Sequence, residues 1–248
     1  MSLSAPLRCC IIIPTYNNDQ TLEKVIAGVK NYSNDILVVN DGSTDKTREI
    51  LSRQNGITIF HQDKNRGKGL ALRRGFDEAR KLGYEYALTI DSDGQHNTSD
   101  IPKFFELLEK NPGSLIMGAR NMDQASVPGT SSFGHKFSNF WFRFETGIDL
   151  PDTQTGFRLY PISLLKDMKY LTSKFEFEIE IIVRAAWRGV QFLSVPVSVY
   201  YAPKETRISH FRPFQDFTRV SLLNIVLVII AIVYIKPRDF FRSFKKKS

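Results

Sequence analysis

The sequence predicts an α/β fold, a mostly parallel sheet flanked by helices, followed by a C-terminal hydrophobic helix. Three observations predict it. Short apolar runs alternate with stretches of helical periodicity, polar or glycine-bearing loops follow those runs, and the uncharged segment Val220 to Ile235 comes near the end. The chain has 248 residues, of which 42% are hydrophobic, enough for a core and too apolar for a disordered protein.

Cys9 to Ile13, closed by Pro14, reads as a buried first strand. Leu22, Val25, Ile26 and Val29 then recur at helical spacing, with Asn18 or Asp19 available as a cap. Ile36 to Val39 gives a second strand and Ile57 to Phe60 a third. A helix through Ala71, Phe76 and Ala79 follows, then a fourth strand ending at Ile90, a helix from Ile101 to Glu109 and a strand from Leu115 to Gly118. Phe192 to Tyr200 reads as a further strand. Such alternation places ligands at the carboxyl ends of parallel strands.

Those ends carry the chemistry. Asp91 and Asp93 stand one residue apart where an apolar run stops. Two carboxylates aimed at one spot repel unless a divalent cation lies between them and a polyphosphate, since Mg²⁺ shares oxygen ligands with phosphates. Gln95 and His96 extend that shell; the alternative is an acidic turn, for which Asp93-Gly94 is also suited. In Lys64 to Gly69, glycines allow backbone to approach phosphate while Arg66 and Lys68 supply charge, and Asp41 can accept from base or ribose hydroxyls. No G-x-G-x-x-G follows the first strand and no Walker A pattern occurs, which excludes the usual dinucleotide and P-loop sites.

In order, I-P-T-Y-N-N, V-V-N-D-G-S-T-D, K-N-R-G-K-G, D-S-D-G-Q-H, G-A-R and D-T-Q-T-G-F-R-L-Y resemble the inverting family 2 glycosyltransferases of GT-A fold. The likeness runs from Cys9 to Tyr200, and within the family it is greatest to dolichyl- and polyprenyl-phosphate mannose and glucose synthases. The resemblance implies a GDP- or UDP-hexose donor, a Mg²⁺ or Mn²⁺ ion and a lipid-phosphate acceptor. It places Pro14, Tyr16 and Asp41 around the donor's base and ribose, with Asp91, Asp93 and Gln95 on the metal. Asp93, Gln154 and Arg158 are expected beside the reacting groups, Lys68 on the donor, and Arg120, Arg207 and Ser209 on the acceptor phosphate. The sequence departs from the family at Asn18, where many relatives carry Glu. Some bacterial relatives have a carboxylate where Gly156 stands, so no base is assigned there. None is required, because a phosphate monoester has a second pKa near ~6 and is already ionised at neutral pH.

Phe175 to Ile181, F-E-F-E-I-E-I, has the period of a strand, whereas the family places a helix here; the expectation follows the family, with Glu176 or Glu178 facing the cleft. Phe133, Phe137, Phe140, Trp141 and Phe144 form a helical stripe that suits either a core or a membrane interface. Val220 to Ile235 rises roughly 24 Å as a helix, less than the ~30 Å hydrocarbon core. With Lys245 to Lys247 beyond it, the expectation is an interfacial or re-entrant helix whose basic end meets anionic headgroups; a buried dimer helix is the soluble alternative.

The expected division is therefore a catalytic domain over 1–212 and a membrane-associating helix and basic tail over 213–248. The net charge is +8, its excess concentrated at that tail, and no basic helix carries interleaved stacking aromatics, so nucleic acid is not an expected partner. No long apolar segment precedes Arg8, and adjacent Cys9 and Cys10 point to opposite strand faces and do not readily bridge. The catalytic domain is thus expected on the cytoplasmic side of the cell membrane. Two alternatives remain: the same donor chemistry on another membrane-embedded acceptor, and a non-catalytic basic membrane-binding module.

Overall fold

The computed structural model describes residues 7–121, 129–200 and 212–245. The elements run β1 (Cys9–Thr15), α1 (Leu22–Lys30), β2 (Ile36–Asn40), α2 (Thr47–Ser52), β3 (Thr58–His61), α3 (Lys68–Lys81), β4 (Tyr86–Thr89), α4 (Ile101–Lys110) and β5 (Leu115–Arg120). They continue with α5 (Gly129–Thr146), β6 (Arg158–Pro161), α6 (Ile162–Leu165), α7 (Phe177–Trp187), β7 (Phe192–Val197) and α8 (Pro213–Ile230). A π-helical stretch, Ala231–Ile235, leads into α9 (Lys236–Lys245).

Among the described residues, seven strands form one sheet in the order β3-β2-β1-β4-β6-β5-β7. All pairs are parallel except those of β6, which runs antiparallel to both β4 and β5. β1 is buried on both faces, as its unbroken apolar run requires, and its side chains divide between two cores. Cys10 and Ile12 meet α3, α5 and α7 on one face, while Ile11 and Ile13 meet α1 and α4 on the other. The sheet is thus the middle of three layers.

α2 and β6 are among the elements that escaped the sequence reading. α2 is only six residues long and buries Thr47 and Leu51, too few positions to show a period. β6 lies inside the motif D-T-Q-T-G-F-R-L-Y, whose polar residues hide a four-residue strand. Residues Phe177–Trp187 are helical, as the family resemblance implies and the period-2 pattern does not. The pattern misleads because Glu178 and Glu180 are as buried as their apolar neighbours. Each glutamate is satisfied by cations or amides, Glu180 by Arg184, Thr172 and the Leu171 amide.

The C-terminal helix shares the first core. Leu223, Leu227, Ala231 and Ile235 are buried against it, whereas Leu222, Ile225, Ile229 and Val233 point outward. Arg238 donates to the Trp187 carbonyl at 2.9 Å and Lys236 lies 4.8 Å from the Phe144 ring centre, so the end of the helix is tied to the body as well.

Glu145 in α5 is 2% exposed and neither carboxylate oxygen has a hydrogen-bond partner among the described residues, and burial pushes its pKa up to about 8. The folded state therefore holds a proton that the unfolded chain releases from about pH 4.5 upward, and stability falls as pH rises towards 8. Glu145→Gln is expected to match the wild type near pH 5 and to melt at a higher temperature at pH 9. Thermal unfolding across that range checks it.

Candidate active site

The carboxyl ends of β1, β2 and β4 open on the same edge of the sheet, and their loops clamp one another. Asn17 takes a positive φ of 48°, which turns its amide oxygen onto the Thr44 N–H at 2.8 Å while its own N–H donates to Ser43 Oγ at 2.9 Å. Asn18 Nδ2 donates to Ser92 Oγ at 2.7 Å, and Thr21 Oγ1 donates to the Ser92 carbonyl at 2.6 Å. The first loop is thereby fixed both to the loop after β2 and to the Asp91–Asp93 turn. Asn18 thus holds the acidic turn.

Asp41 was expected at the donor's base and ribose. It is 2% exposed, and its two carboxylate oxygens accept the backbone N–H groups of Arg66 and Gly67 at 2.9 and 2.8 Å. In this arrangement its work is to shape the loop before α3. Gly42 makes that approach possible: at φ 69°, a Cβ there would sit 2.3 Å from the Lys64 carbonyl carbon. Pro14 is buried within β1 opposite Val39, and half-buried Tyr16 follows at the strand's exit.

Lys68 opens α3 and reaches Asp91 Oδ1 at 2.7 Å and Glu178 Oε2 at 2.9 Å. Burial acts to lower the Lys68 pKa, but the two carboxylates outweigh it and hold it above the ordinary lysine value. Burial likewise acts to raise Asp91, and the Lys68 ammonium outweighs it, leaving the carboxyl below its usual range. Asp93 Oδ1 accepts the Gln95 N–H at 2.9 Å, which sets the turn. His96 packs on Phe157, and burial pushes its pKa down to about 4, so the imidazole is neutral at physiological pH.

Arg120, expected at the acceptor phosphate, makes a two-pronged pair with Asp152, at 2.6 and 3.0 Å. Exposed Gln154 stands beside Gly134 of α5. Arg158 was expected beside the reacting groups. It is 0% exposed, and its guanidinium donates to the carbonyls of Thr153, Thr155 and Glu178, so it supports the site from behind. Arg207 and Ser209 lie outside the described residues. Glu178, only a weak expectation, is the main addition, and the signal for it was an acidic residue in the first turn of a helix otherwise buried all round.

The residues fit a divalent ion. Among the described residues no three His, Cys, Asp or Glu side chains gather to hold a metal alone, and an ion that completes its shell with substrate phosphate and water needs only one or two carboxylates.

A mostly parallel sheet with one reversed strand, and an acidic turn beyond the end of β4, give the chain a GT-A architecture. The chain belongs to glycosyl transferase family 2, whose model matches residues 10–169. It is 30% identical to glycosyltransferase AglJ of Haloferax volcanii over 86% of this chain and 70% of that one. It is 28% identical to polyprenol monophosphomannose synthase of Mycolicibacterium smegmatis, covering 77% of each chain. It is also 28% identical to the UDP-N-acetylglucosamine–dolichyl-phosphate N-acetylglucosaminyltransferase of Methanococcus voltae, over 77% of this chain and 85% of the relative. In fold it is similar to glucosyl-3-phosphoglycerate synthase of Mycobacterium tuberculosis, crystallised with Mn²⁺, UDP and phosphoglyceric acid. The TM-score is 0.66 at 18% identity, covering 90% of this chain and 78% of that one.

Gly156 touches Asp91: an added Cβ would lie 2.2 Å from Asp91 Oδ2. Gly156→Ala is therefore expected to displace the carboxylate and to cost about a hundredfold in sugar transfer, the scale of an ångström-sized misplacement. Turnover kinetics and Mn²⁺ titration, with circular dichroism to check folding, measure this.

Proposed function

We propose that this protein transfers a hexose from a nucleotide-sugar to a polyprenyl phosphate with inversion at the anomeric carbon. The observation that carries the reading is the Asp91–Lys68 pair at the end of β4, set among loops that clamp one another. The named relatives that act on polyprenyl or dolichyl phosphates, and cover most of this chain, support the acceptor.

In this mechanism Asp91 and Asp93 hold the metal with Gln95, and Tyr16 lines the donor's nucleoside. A bound Mg²⁺ or Mn²⁺ ion would supply positive charge to the leaving diphosphate. Lys68 adds its ammonium to the same region. The acceptor phosphate is already ionised at neutral pH, so Gln154 and the Arg120–Asp152 pair have only to bring it in line with the sugar. Arg207 and Ser209 complete the acceptor side in this proposal. Buried Arg158 fixes the backbone from Thr153 to Thr155 that carries Gln154.

Residues 213–248 serve as the membrane-associating part. The stretch Phe214–Phe240 is apolar and long enough to cross a bilayer, with a mean hydropathy of 2.3 over its best window. Its buried inner face and the Arg238 tie favour a helix lying along the body with its outer face in one leaflet. Phe133, Phe140 and Phe144 of α5 are exposed, and Phe133 and Phe137 pack against Phe217 of α8, so both helices present one aromatic and aliphatic surface. The basic tail would then meet headgroups on the cytoplasmic side.

Incubation with labelled GDP- and UDP-sugars and a short polyprenyl phosphate is expected to label the lipid phase in Mg²⁺ or Mn²⁺ but not in EDTA. Asp93→Ala is expected to lose at least about a hundredfold. Metal-dependent donor hydrolysis without lipid labelling would move the acceptor assignment to another membrane-embedded group. In flotation with phosphatidylglycerol vesicles, the double variant Phe140→Glu and Ile229→Glu is expected to remain in the soluble fraction while the wild type floats. Unchanged flotation would overturn the surface, and a stable dimer by light scattering would assign the face to a second copy.

A further inference from the structure

Glu178 lies on α7, outside the donor and acceptor loops, yet it completes an ionic chain with the acidic pair. Its Oε2 is 2.9 Å from Lys68 Nζ, and the same ammonium is 2.7 Å from Asp91 Oδ1. The three side chains keep only 17%, 12% and 23% of their exposure for Lys68, Glu178 and Asp91, so solvent screens the contacts weakly.

The chain depends on an unusually close approach of two helix starts. A Cβ on Gly69 would lie 2.5 Å from Phe177 Cβ, and one on Gly67 would lie 2.8 Å from Lys174 Cγ. The Leu70 N–H donates to the Ser173 carbonyl at 3.0 Å, and buried Arg158 donates to the Glu178 carbonyl. Backbone and glycines thus bring the first turns of α3 and α7 together where Lys68 and Glu178 meet.

We propose that Glu178 is a positioning residue that keeps Asp91 available to the divalent ion by holding the Lys68 ammonium. The inference rests on the donor-site reading above. A cation arriving at Asp91 has to share that carboxylate with an ammonium already 2.7 Å away, and two cations on one carboxylate repel. Glu178 gives the ammonium a second anchor, so Lys68 leaves Asp91 without becoming an unpaired buried charge. It stays beside the diphosphate, where its charge is of use. Without Glu178, Asp91 is the remaining carboxylate of the chain, and the metal must displace a tighter pair.

The test is titration of the full-length protein with Mn²⁺ in the presence of UDP or GDP, followed by electron paramagnetic resonance of free Mn²⁺. Glu178→Gln keeps the side chain's shape and removes its charge. It is expected to raise the Mn²⁺ dissociation constant by at least about threefold, the scale of coupling between touching charges. Glu178→Asp is expected to recover most of the affinity. In a Lys68→Met background, which has no ammonium to hold, Glu178→Gln is expected to change the constant no further. An unchanged constant in Glu178→Gln overturns the proposal. So does an equal effect with and without Lys68, which would mark simple proximity of a negative charge. Should Lys68→Met fail to fold, Glu178→Asp decides: recovered affinity supports the role and no recovery overturns it. A wild type that binds no Mn²⁺ would overturn the donor-site reading itself, and this proposal with it.

Discussion

A buried ammonium has to be neutralised, and the placement of Lys68 between Asp91 and Glu178 is the constraint on which the site is built. It requires the start of α3 to reach both the end of β4 and the start of α7. The glycines at 67 and 69 follow from that requirement, since any side chain there would meet Lys174 or Phe177. So does the burial of Arg158, whose guanidinium gathers backbone carbonyls from the loop before β6 and from α7. The charges at this edge of the sheet are therefore also the contacts that hold two helices against it.

The loops at the sheet edge achieve rigidity by exchanging hydrogen bonds. Asn17 caps the loop after β2, Asp41 binds the loop before α3, and Asn18 and Thr21 bind the acidic turn. Backbone N–H groups that would otherwise lack partners at a strand's end are satisfied by side chains from a neighbouring loop. A site arranged in this way is formed before any ligand arrives, which suits catalysis by positioning and fixed charge.

Helix α5 joins this edge to the apolar surface. His135 and Asn139 bond the Pro151 carbonyl, and Asn139 also accepts from Thr153 at 3.0 Å. Phe142 enters the core, while Phe133, Phe140 and Phe144 remain exposed. One helix thus touches the loop carrying Gln154, the core and the outer aromatic face.

The sequence by itself determined the mostly parallel sheet with its flanking helices, the position of most strands along the chain and the edge on which chemistry gathers. Those features rest on local patterns: an unbroken apolar run at Cys10–Ile13, helical spacing at Leu22–Val29, and carboxylates and glycines where such runs stop. Only the tertiary structure decided what each polar residue faces. Asp41 turned to backbone amides, Arg158 turned inward and Glu178 turned to Lys68, because each partner lies on a distant stretch of chain. The same is true of the alternating glutamates of α7, which mimic a strand until Lys68, Thr172 and Arg184 are seen to neutralise or bind them. Periodicity records which residues are apolar. It does not record that a buried charge has found its partner, and that is what separates a supporting residue from one that meets the substrate.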